Sequence, residues 1–214
     1  MAAIDVVFFD IGGVVLDADL ERYIQVGCAM FKTNPQALMR EVGARVPLLE
    51  VGRMDSSAFW KEIGETLWRA GQGRIADESE YTGLWRRLMH SSLRIDANVG
   101  RICKALDEYG VRVGVLSNAI EEHAQLLTEL GIYRPFNPVI VSCRVGMRKP
   151  DPNIYRLAAR SAGVRPEQCL FVDDLPENVV AAEREGMTGI HFTGAEALYG
   201  ELVRRRLFSS RRAR

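Results

Sequence analysis

Polar side chains that could belong to one chemical site follow short apolar runs at four points along the chain. They are Asp10 after the run 6–9, Ser117-Asn118 after the run 111–116, Lys149 shortly after the run 139–142, and Asp173-Asp174 at the end of the run 169–173. Such short apolar runs are typical of strands buried on both faces of a parallel sheet. Because the carboxyl ends of parallel strands meet at one edge of the sheet, we expect these side chains to lie close together.

Three carboxylates at one edge determine much of the chemistry that such a site could perform. Carboxylates held close together repel one another, so a positive charge must be present among them. Aspartate oxygens are ligands that suit Mg²⁺, which also coordinates phosphate oxygens. A hydroxyl and an ammonium group beside the ion, here Ser117 and Lys149, complete a cradle for a phosphoryl group. The residue types therefore predict a magnesium site and phosphoryl transfer.

The elements that would position these side chains alternate regularly from residue 96 onwards. Strands alternate with helices that stop at glycines such as Gly131 and Gly186. This pattern predicts an α/β fold, a Rossmann-like doubly wound parallel sheet with helices on both faces. The segment that follows the first strand is helical instead and interrupts the pattern as an insertion. We therefore expect a core domain at 1–16 and 93–204, an inserted helical cap at 17–92, and a disordered basic tail at 205–214.

Within the helical segment, capping residues and helix breakers predict where each helix begins and ends. Asp19, Asn34-Pro35 and Ser56-Ser57 each precede a helically spaced apolar pattern, as expected of residues that open helices. Pro47 is expected to punctuate the stretch after the second helix, and one further helix is expected over 78–90. All three tryptophans fall in this segment, and we expect them to form its core.

Four stretches of the sequence resemble, in order, the four motifs of the haloacid dehalogenase-like (HAD) superfamily. They are Phe9-Asp10-Ile11-Gly12-Gly13-Val14-Val15, Leu116-Ser117-Asn118, Gly146-Met147-Arg148-Lys149-Pro150-Asp151-Pro152, and Phe171-Val172-Asp173-Asp174 with Asn178. The helical insertion between the first two motifs resembles the C1-type cap of that superfamily. The likeness covers nearly the whole chain and implies a Mg²⁺-dependent hydrolase.

The resemblance implies a role for each matching position. Asp10 would be the nucleophile that forms an aspartyl-phosphate, and Lys149 would neutralise charge on Asp10 and on the phosphate. Phosphoryl oxygens would be held by Ser117, Asn118, Gly13 and Lys149, and the metal by Asp10, the Gly12 carbonyl and Asp174. Asp173 and Asn178 would lie behind the metal ligands, and Asn118 would orient the nucleophile or the substrate.

Gly12 departs from the family pattern, because most phosphatases of this superfamily carry a second aspartate two residues after the nucleophile. That aspartate acts as general acid and base, a role typically worth roughly 10²–10⁴ in rate. Glycine keeps the backbone carbonyl for Mg²⁺ but supplies no proton, so hydrolysis of ordinary alkyl phosphates should be slowed most. Asp17 and Asp19 are candidates for a substitute acid, although a turn and a helix cap explain them better.

Three functions remain open from the sequence. The Asp-x-Gly form and the Asp17-x-Asp19 pair are similar to HAD-like sugar-1-phosphatases and to the phosphatases of the epoxide-hydrolase N-terminal type. This favours a Mg²⁺-dependent phosphatase for a small phosphorylated metabolite, with a sugar 1-phosphate as one candidate. A metal-independent 2-haloacid dehalogenase would also lack the second aspartate but would leave Asp173-Asp174 unexplained. The third alternative is a weakly active or non-catalytic HAD-fold binding protein.

Specificity is expected to come from the cap, since loops and caps vary most within one fold. The weak candidates there are Asp17, Tyr23, Arg53 and Trp60. Arg53 is better explained as the partner of Glu50 in a salt bridge at a helix end than as a substrate contact. His123 is expected to lie on the surface. No heptad pattern or dominant apolar stripe indicates an oligomeric state, which stays open.

Composition argues against several classes of partner. The 28 basic and 28 acidic groups balance, but six arginines fall in 204–214, so residues 1–203 carry a net charge of −6. A region with this negative net charge is expected to bind nucleic acid poorly.

Four scattered cysteines without a C-x-x-C pair indicate buried thiols in a reducing compartment. The N-terminal apolar run is too short for a signal peptide or membrane span, so we expect a cytoplasmic protein without nucleic-acid or membrane partners.

Overall fold

The computed structural model describes residues 3–17 and 19–208, in which strands and helices alternate on either side of a helical block. In chain order the elements are β1 (Val6–Phe9), β2 (Leu16–Asp17), α1 (Leu20–Phe31), α2 (Pro35–Glu50), α3 (Ser56–Arg69), α4 (Glu78–Tyr81), α5 (Leu84–Ser92), β3 (Arg94–Ile95), α6 (Ala97–Glu108), β4 (Arg112–Ser117), α7 (Glu121–Glu129), β5 (Val139–Val141), α8 (Ser142–Val145), α9 (Pro152–Ser161), β6 (Cys169–Asp173), α10 (Pro176–Arg184), β7 (Thr188–His191) and α11 (Ala195–Arg204). None of the helices in this described part is both long and apolar enough to cross a membrane.

A five-stranded parallel sheet forms the centre of the core, in the order β5-β4-β1-β6-β7. The first strand is the middle one, and all four of its residues are inaccessible to solvent. Val7 and Phe9 point into an apolar cluster with α6, α7 and α11, whereas Phe8 packs with α9 and α10 on the other face. The predicted α/β fold with helices on both faces is thereby confirmed, because alternate residues of one buried strand serve two helical layers.

The helical block α1–α5 has an apolar cluster of its own, separate from the two clusters that flank the sheet. Phe31, Leu38, Phe59 and Ile63 are among its fully or almost fully buried members. The block is joined to the core through a two-stranded antiparallel ribbon, β2 with β3, in which Leu16 pairs with Ile95. This ribbon could not be predicted from the sequence, because two residues per strand are too few to show a period.

Three expectations for the helical block are wrong. Pro47 does not interrupt α2, which runs on to Glu50; Leu38 and Leu49 are buried on either side of the proline, and their packing outweighs the lost hydrogen bond. The single helix expected over 78–90 is two helices, separated at Gly83, whose φ of 64° is left-handed. Trp68 lies outside the core with 58% of its surface exposed.

The chain remains part of the core beyond the last helix. Leu207 is buried against the sheet, and the Phe208 ring lies 5.2 Å from that of Tyr199. The basic tail expected from residue 205 was therefore placed too early, because the surrounding arginines masked these two apolar residues. The remainder of that predicted tail, 209–214, lies outside the described residues.

Candidate active site

The carboxyl ends of the central strands bring the predicted chemical groups together. Asp10 directly follows β1, while Ser117 and Asp173 are the last residues of β4 and β6. Lys149 Nζ lies 3.0 Å from Asp10 Oδ1 and 2.5 Å from Asp173 Oδ2. One oxygen from each of Asp10, Asp173 and Asp174 can be chosen so that all three lie within 4.8 Å of one another. Four segments far apart in sequence thus meet at one edge of the sheet.

Lys149 is held in place by its main chain as well as by its charge. Its side chain is only 1% exposed and lies above the Phe171 ring, 5.2 Å from the ring centroid. Its main-chain N–H donates to Asn118 Oδ1 over 2.8 Å, and Asn118 Nδ2 donates to the Lys149 carbonyl over 3.0 Å. The Asn118 amide is engaged with this loop rather than with the nucleophile, so its predicted contact with substrate stays a prediction.

Asp173 and Asp174 differ in what surrounds them. Asp173 is fully buried, and its Oδ1 accepts hydrogen bonds from the Leu175 N–H (2.9 Å) and Asn178 Nδ2 (3.0 Å). Because its Oδ2 is taken by Lys149, both of its oxygens are engaged by the protein. Asp174 is only half-buried, and its carboxylate lies beside Gly13. Asp174 is therefore the carboxylate better placed to bind an ion, with Asp173 behind it.

The two glycines after Asp10 have different constraints. Gly13 has a φ of 72°, and a Cβ there would lie 2.3 Å from Asp174 Oδ2, so only glycine fits. Its N–H donates to the Leu16 carbonyl over 2.8 Å, closing the turn that leads to β2. That bond leaves the N–H unavailable for the phosphate contact expected of Gly13. Gly12 is exposed, and a Cβ at this position would meet no heavy atom of the described residues within 4 Å.

The electrostatics of the cluster favour a bound cation. Burial raises the pKa of Asp10 to about 6, although the neighbouring Lys149 acts in the opposite direction. Burial, followed by the charge of Asp173, also raises the pKa of Asp174. One ammonium group cannot neutralise three carboxylates, and the donor set consists entirely of oxygen atoms. Such a set fits Mg²⁺, which prefers carboxylate ligands and dehydrates reluctantly.

A chamber of about 290 Å³ lies between the helical block and this edge of the sheet. It is lined by Ile11, Gly12, Leu16, Leu20, Tyr23, Val42, Val46, Glu50, Trp85, Met89, Ser117, Asn118, Ala119, Ile120, His123 and Leu127. Its volume is at the lower end of the range for small-molecule sites. Because Gly12, Ser117 and Asn118 belong to the segments that carry the catalytic groups, the chamber adjoins the candidate site.

Of the four specificity candidates, only Tyr23 lines the chamber. Trp60 is 3% exposed and packs against Trp85 with ring centroids 4.9 Å apart, so it belongs to the core of the helical block. Arg53 is exposed, and Glu50 pairs instead with Arg148, whose Nε lies 2.7 Å from Glu50 Oε2. Asp17 is an exposed residue of the ribbon. The predicted Arg53–Glu50 bridge is therefore wrong.

Asp19 caps a helix, as the sequence suggested, because its side chain accepts a hydrogen bond from the Arg22 N–H at the start of α1.

His123 does not have the surface position expected of it. It lines the chamber, and burial lowers its pKa to about 4. The spacing of Ile120, His123 and Leu127 on one face of a helix could have revealed this, since its two apolar neighbours are core residues.

The fold agrees with what the sequence matches among known proteins. The model of the haloacid dehalogenase-like hydrolase family matches residues 4–186. The sesquiterpene phosphatase astK of Aspergillus oryzae is 27% identical over 187 residues, which are 83% of this chain and 91% of that protein.

Solved structures show the same architecture. The magnesium complex of a HAD family enzyme from Bacteroides thetaiotaomicron superposes with a TM-score of 0.73 at 21% identity, covering 95% of this chain and 100% of that one. The L-2-haloacid dehalogenase of Xanthobacter autotrophicus superposes with a TM-score of 0.61 at 22% identity, covering 94% and 83%. At such identities the likeness shows the fold alone. Together with the family match over most of its length, it places this chain in the haloacid dehalogenase-like hydrolase family.

Proposed function

We propose that this chain is a Mg²⁺-dependent phosphatase that hydrolyses a small phosphorylated metabolite through an aspartyl-phosphate on Asp10. The observation that carries the proposal is the position of Lys149 Nζ, 3.0 Å from Asp10 Oδ1, beside three clustered carboxylates. A metal-independent dehalogenase would not require that cluster of carboxylates. The phosphatase relative and the magnesium complex of the Bacteroides enzyme support the same reading.

In the first half-reaction, an oxygen of the ionised Asp10 carboxylate attacks phosphorus. A bond forms between that oxygen and phosphorus, the ester P–O bond breaks, and its electron pair stays on the leaving oxygen. Lys149 keeps Asp10 ionised and offsets charge on the phosphoryl group, with the Ser117 hydroxyl at the end of the neighbouring strand to hold a phosphoryl oxygen. The Asp10 pKa near 6 leaves the carboxylate ionised at neutral pH.

The second half-reaction returns Asp10 to its starting state. Water attacks phosphorus, the aspartyl oxygen–phosphorus bond breaks, and inorganic phosphate leaves. Asp10, Asp174 and the Gly12 carbonyl would hold Mg²⁺, which when bound neutralises charge on the phosphoryl oxygens. Because Gly12 has no carboxyl and is exposed to solvent, the leaving oxygen takes its proton from water. Substrates whose leaving groups need little protonation should therefore react fastest.

Hydrolysis of p-nitrophenyl phosphate tests the proposal, because its leaving group needs little help from an acid. We expect turnover that depends on Mg²⁺ and is abolished in Asp10→Asn, whereas Asp19→Asn, which alters an exposed helix cap, should leave it unchanged. Full activity in Asp10→Asn would overturn the mechanism. Halide release from L-2-chloropropionate without metal would support a dehalogenase instead. Absence of any turnover with Mg²⁺ or Mn²⁺ would support a binding protein.

We also propose a cytoplasmic location for the chain. All four cysteines are free, and Cys103 and Cys169 are buried. Burial raises the pKa of both of these thiols to about 12, which keeps them protonated and unreactive. Free cysteines are the usual state in a reducing compartment.

A further inference from the structure

The chamber next to the candidate site is lined mainly by apolar residues. Gly12, Ser117 and Asn118 line it and belong to the segments that carry the catalytic groups, so the phosphoryl group is expected beside them. The aliphatic residues that line the remainder are Ile11, Leu16, Leu20, Val42, Val46, Met89, Ala119, Ile120 and Leu127. Whatever alcohol is esterified to the phosphate must therefore occupy a space bounded mainly by carbon.

Three side chains in the lining have polar atoms that do not face the chamber. The Tyr23 hydroxyl, Trp85 Nε1 and His123 Nε2 have no hydrogen-bond partner among the described residues, and all three are inaccessible to solvent. The rings stack edge to face around His123, whose centroid lies 5.7 Å from that of Trp85 and 6.3 Å from that of Tyr23. These residues consequently present ring carbons to the chamber rather than hydrogen-bonding groups.

Glu50 is the acidic residue of the lining, and its charge is already matched. Its Oε2 accepts a hydrogen bond of 2.7 Å from Arg148 Nε. Val42, Val46 and Glu50 follow one another at intervals of four on α2, so this face of the helix is apolar up to the ion pair. A sugar would lose its hydration here without gaining the hydrogen bonds that would replace it.

We propose that the substrate is the phosphate monoester of an apolar alcohol, a phenol or a terpenoid-like alcohol, whose hydrocarbon part fills the chamber. The inference rests on the proposed phosphatase function and specifies its substrate class. It replaces the sugar 1-phosphate that the sequence suggested, because the lining is mostly aliphatic and the unpartnered polar atoms of Tyr23, Trp85 and His123 are inaccessible to solvent. Chemistry at phosphorus is as given above: the P–O ester bond breaks, and the leaving oxygen is protonated by water.

A series of 4-alkylphenyl phosphates, from methyl to hexyl, separates apolar binding from leaving-group chemistry. The phenol oxygen has nearly the same acidity throughout the series, so only the buried hydrocarbon changes. We expect kcat/KM to rise by about fourfold for each methylene until the chamber is full, which corresponds to ~0.8 kcal/mol per methylene. The polar analogue 4-(2-hydroxyethyl)phenyl phosphate should react roughly tenfold or more slowly than 4-propylphenyl phosphate, which has the same number of heavy atoms in its side chain.

Variants of Val46 test whether this chamber is the site of the effect. Val46→Phe should lower kcat/KM for 4-hexylphenyl phosphate at least ~10-fold through lost space, and by a larger factor than it lowers kcat/KM for phenyl phosphate. Val203→Phe, on the exposed face of α11, is the matched control and should change neither. If Val46→Phe does not fold, Val46→Thr keeps the volume and should reduce the gain per methylene.

The outcomes distinguish this inference from the proposed function. If the protein hydrolyses p-nitrophenyl phosphate, either of two results would overturn the apolar substrate class alone. One is that kcat/KM does not depend on alkyl length in the 4-alkylphenyl series, and the other is a higher kcat/KM for glucose 1-phosphate than for that series. If the protein hydrolyses none of the phosphate esters, p-nitrophenyl phosphate included, both the phosphatase function and this inference are overturned. Length dependence that Val46→Phe leaves unaltered would place the hydrocarbon elsewhere and contradict the assignment to this chamber.

Discussion

At the scale of single residues, Gly12 and Gly13 are under different constraints, which the sequence alone does not distinguish. Gly13 is dictated by structure, since its left-handed φ and the nearby Asp174 carboxylate exclude a side chain. Gly12 is not, because a Cβ at that position would have room. The absence of an aspartate at position 12 is therefore a chemical property of this site and not a steric necessity.

Replacement of each glycine by alanine should show this difference. In Gly13→Ala the left-handed backbone costs ~1–2 kcal/mol of unfolding free energy, and displacement of Asp174 should lower Mg²⁺-dependent turnover by about 10²-fold. Gly12→Ala is the matched control and should stay within ~0.5 kcal/mol of the parent protein. Denaturant unfolding and p-nitrophenyl phosphate kinetics measure both effects. Equal losses in the two variants would contradict the contact between Gly13 and Asp174.

Gly12→Asp should restore the general acid that the family pattern contains. The new carboxyl has space and follows the nucleophile by two residues, so we expect faster hydrolysis of esters with poor leaving groups. An increase of up to ~10² in kcat for a simple alkyl phosphate is expected, below the full worth of an evolved acid. The rate with p-nitrophenyl phosphate should change much less. An equal change for both substrates would show that the missing general acid at position 12 does not limit the hydrolysis of alkyl phosphates.

The positions of site residues were predictable from the sequence wherever a strand end determined them. Asp10, Ser117 and Asp173 follow or end buried strands, and parallel pairing alone brings such positions to one edge. Contacts that depend on how a side chain or an N–H is used were not predictable. The Gly13 N–H is taken by the Leu16 carbonyl, and the inward position of His123 depends on what packs over α7.

At the scale of elements, helices with strong capping signals were predicted and the connections between them were not. Asp19 and Asn34 cap α1 and α2 as expected, because a cap is a local interaction. The ribbon of β2 and β3 and the continuation of α2 through Pro47 depend on partners far along the chain. Tertiary packing decides such cases against local propensity.

Among the described residues, two ion pairs connect the helical block to the core, and they should contribute unequally to stability. The Glu50–Arg148 pair is partly buried, with side-chain exposures of 15% and 36%, whereas Arg86–Glu129 is exposed at 42% and 57%. Double-mutant cycles measured by denaturant unfolding should give a coupling of ~1 kcal/mol for the first pair and less than ~0.5 kcal/mol for the second. A larger coupling for the Arg86–Glu129 pair would contradict the packing of α2 on the core.

At the scale of the whole molecule, His123 should make stability depend on pH. Its pKa is about 4 in the folded protein and about 6.5 in an unfolded chain. Between these values the His123 imidazole binds more protons in the unfolded state, so its contribution to the unfolding free energy falls as the pH drops from about 6.5 to about 4, by up to ~3 kcal/mol. Asp10, whose pKa is raised to about 6 in the folded protein, contributes with the opposite sign over part of this range.

The variant His123→Gln, which cannot titrate, should remove this contribution, so that its unfolding free energy relative to the parent protein rises as the pH drops from about 6.5 to about 4. His90→Gln, at an exposed position of α5, is the matched control and should leave the profile unchanged. Unfolding free energies at half-unit steps of pH measure the effect. An unchanged slope in His123→Gln would mean that this imidazole is not held neutral in the chamber.

The most direct test of the central claim is to trap the covalent intermediate. Protein mixed with Mg²⁺ and 4-propylphenyl phosphate is quenched in acid during turnover, and its peptides are analysed by mass spectrometry. We predict a phosphoryl group on the peptide that contains Asp10, and none in Asp10→Asn. A parallel turnover in H₂¹⁸O should place the label in inorganic phosphate and not in the Asp10 carboxylate. A phosphoryl group on another residue, or ¹⁸O in the Asp10 carboxylate, would contradict the mechanism.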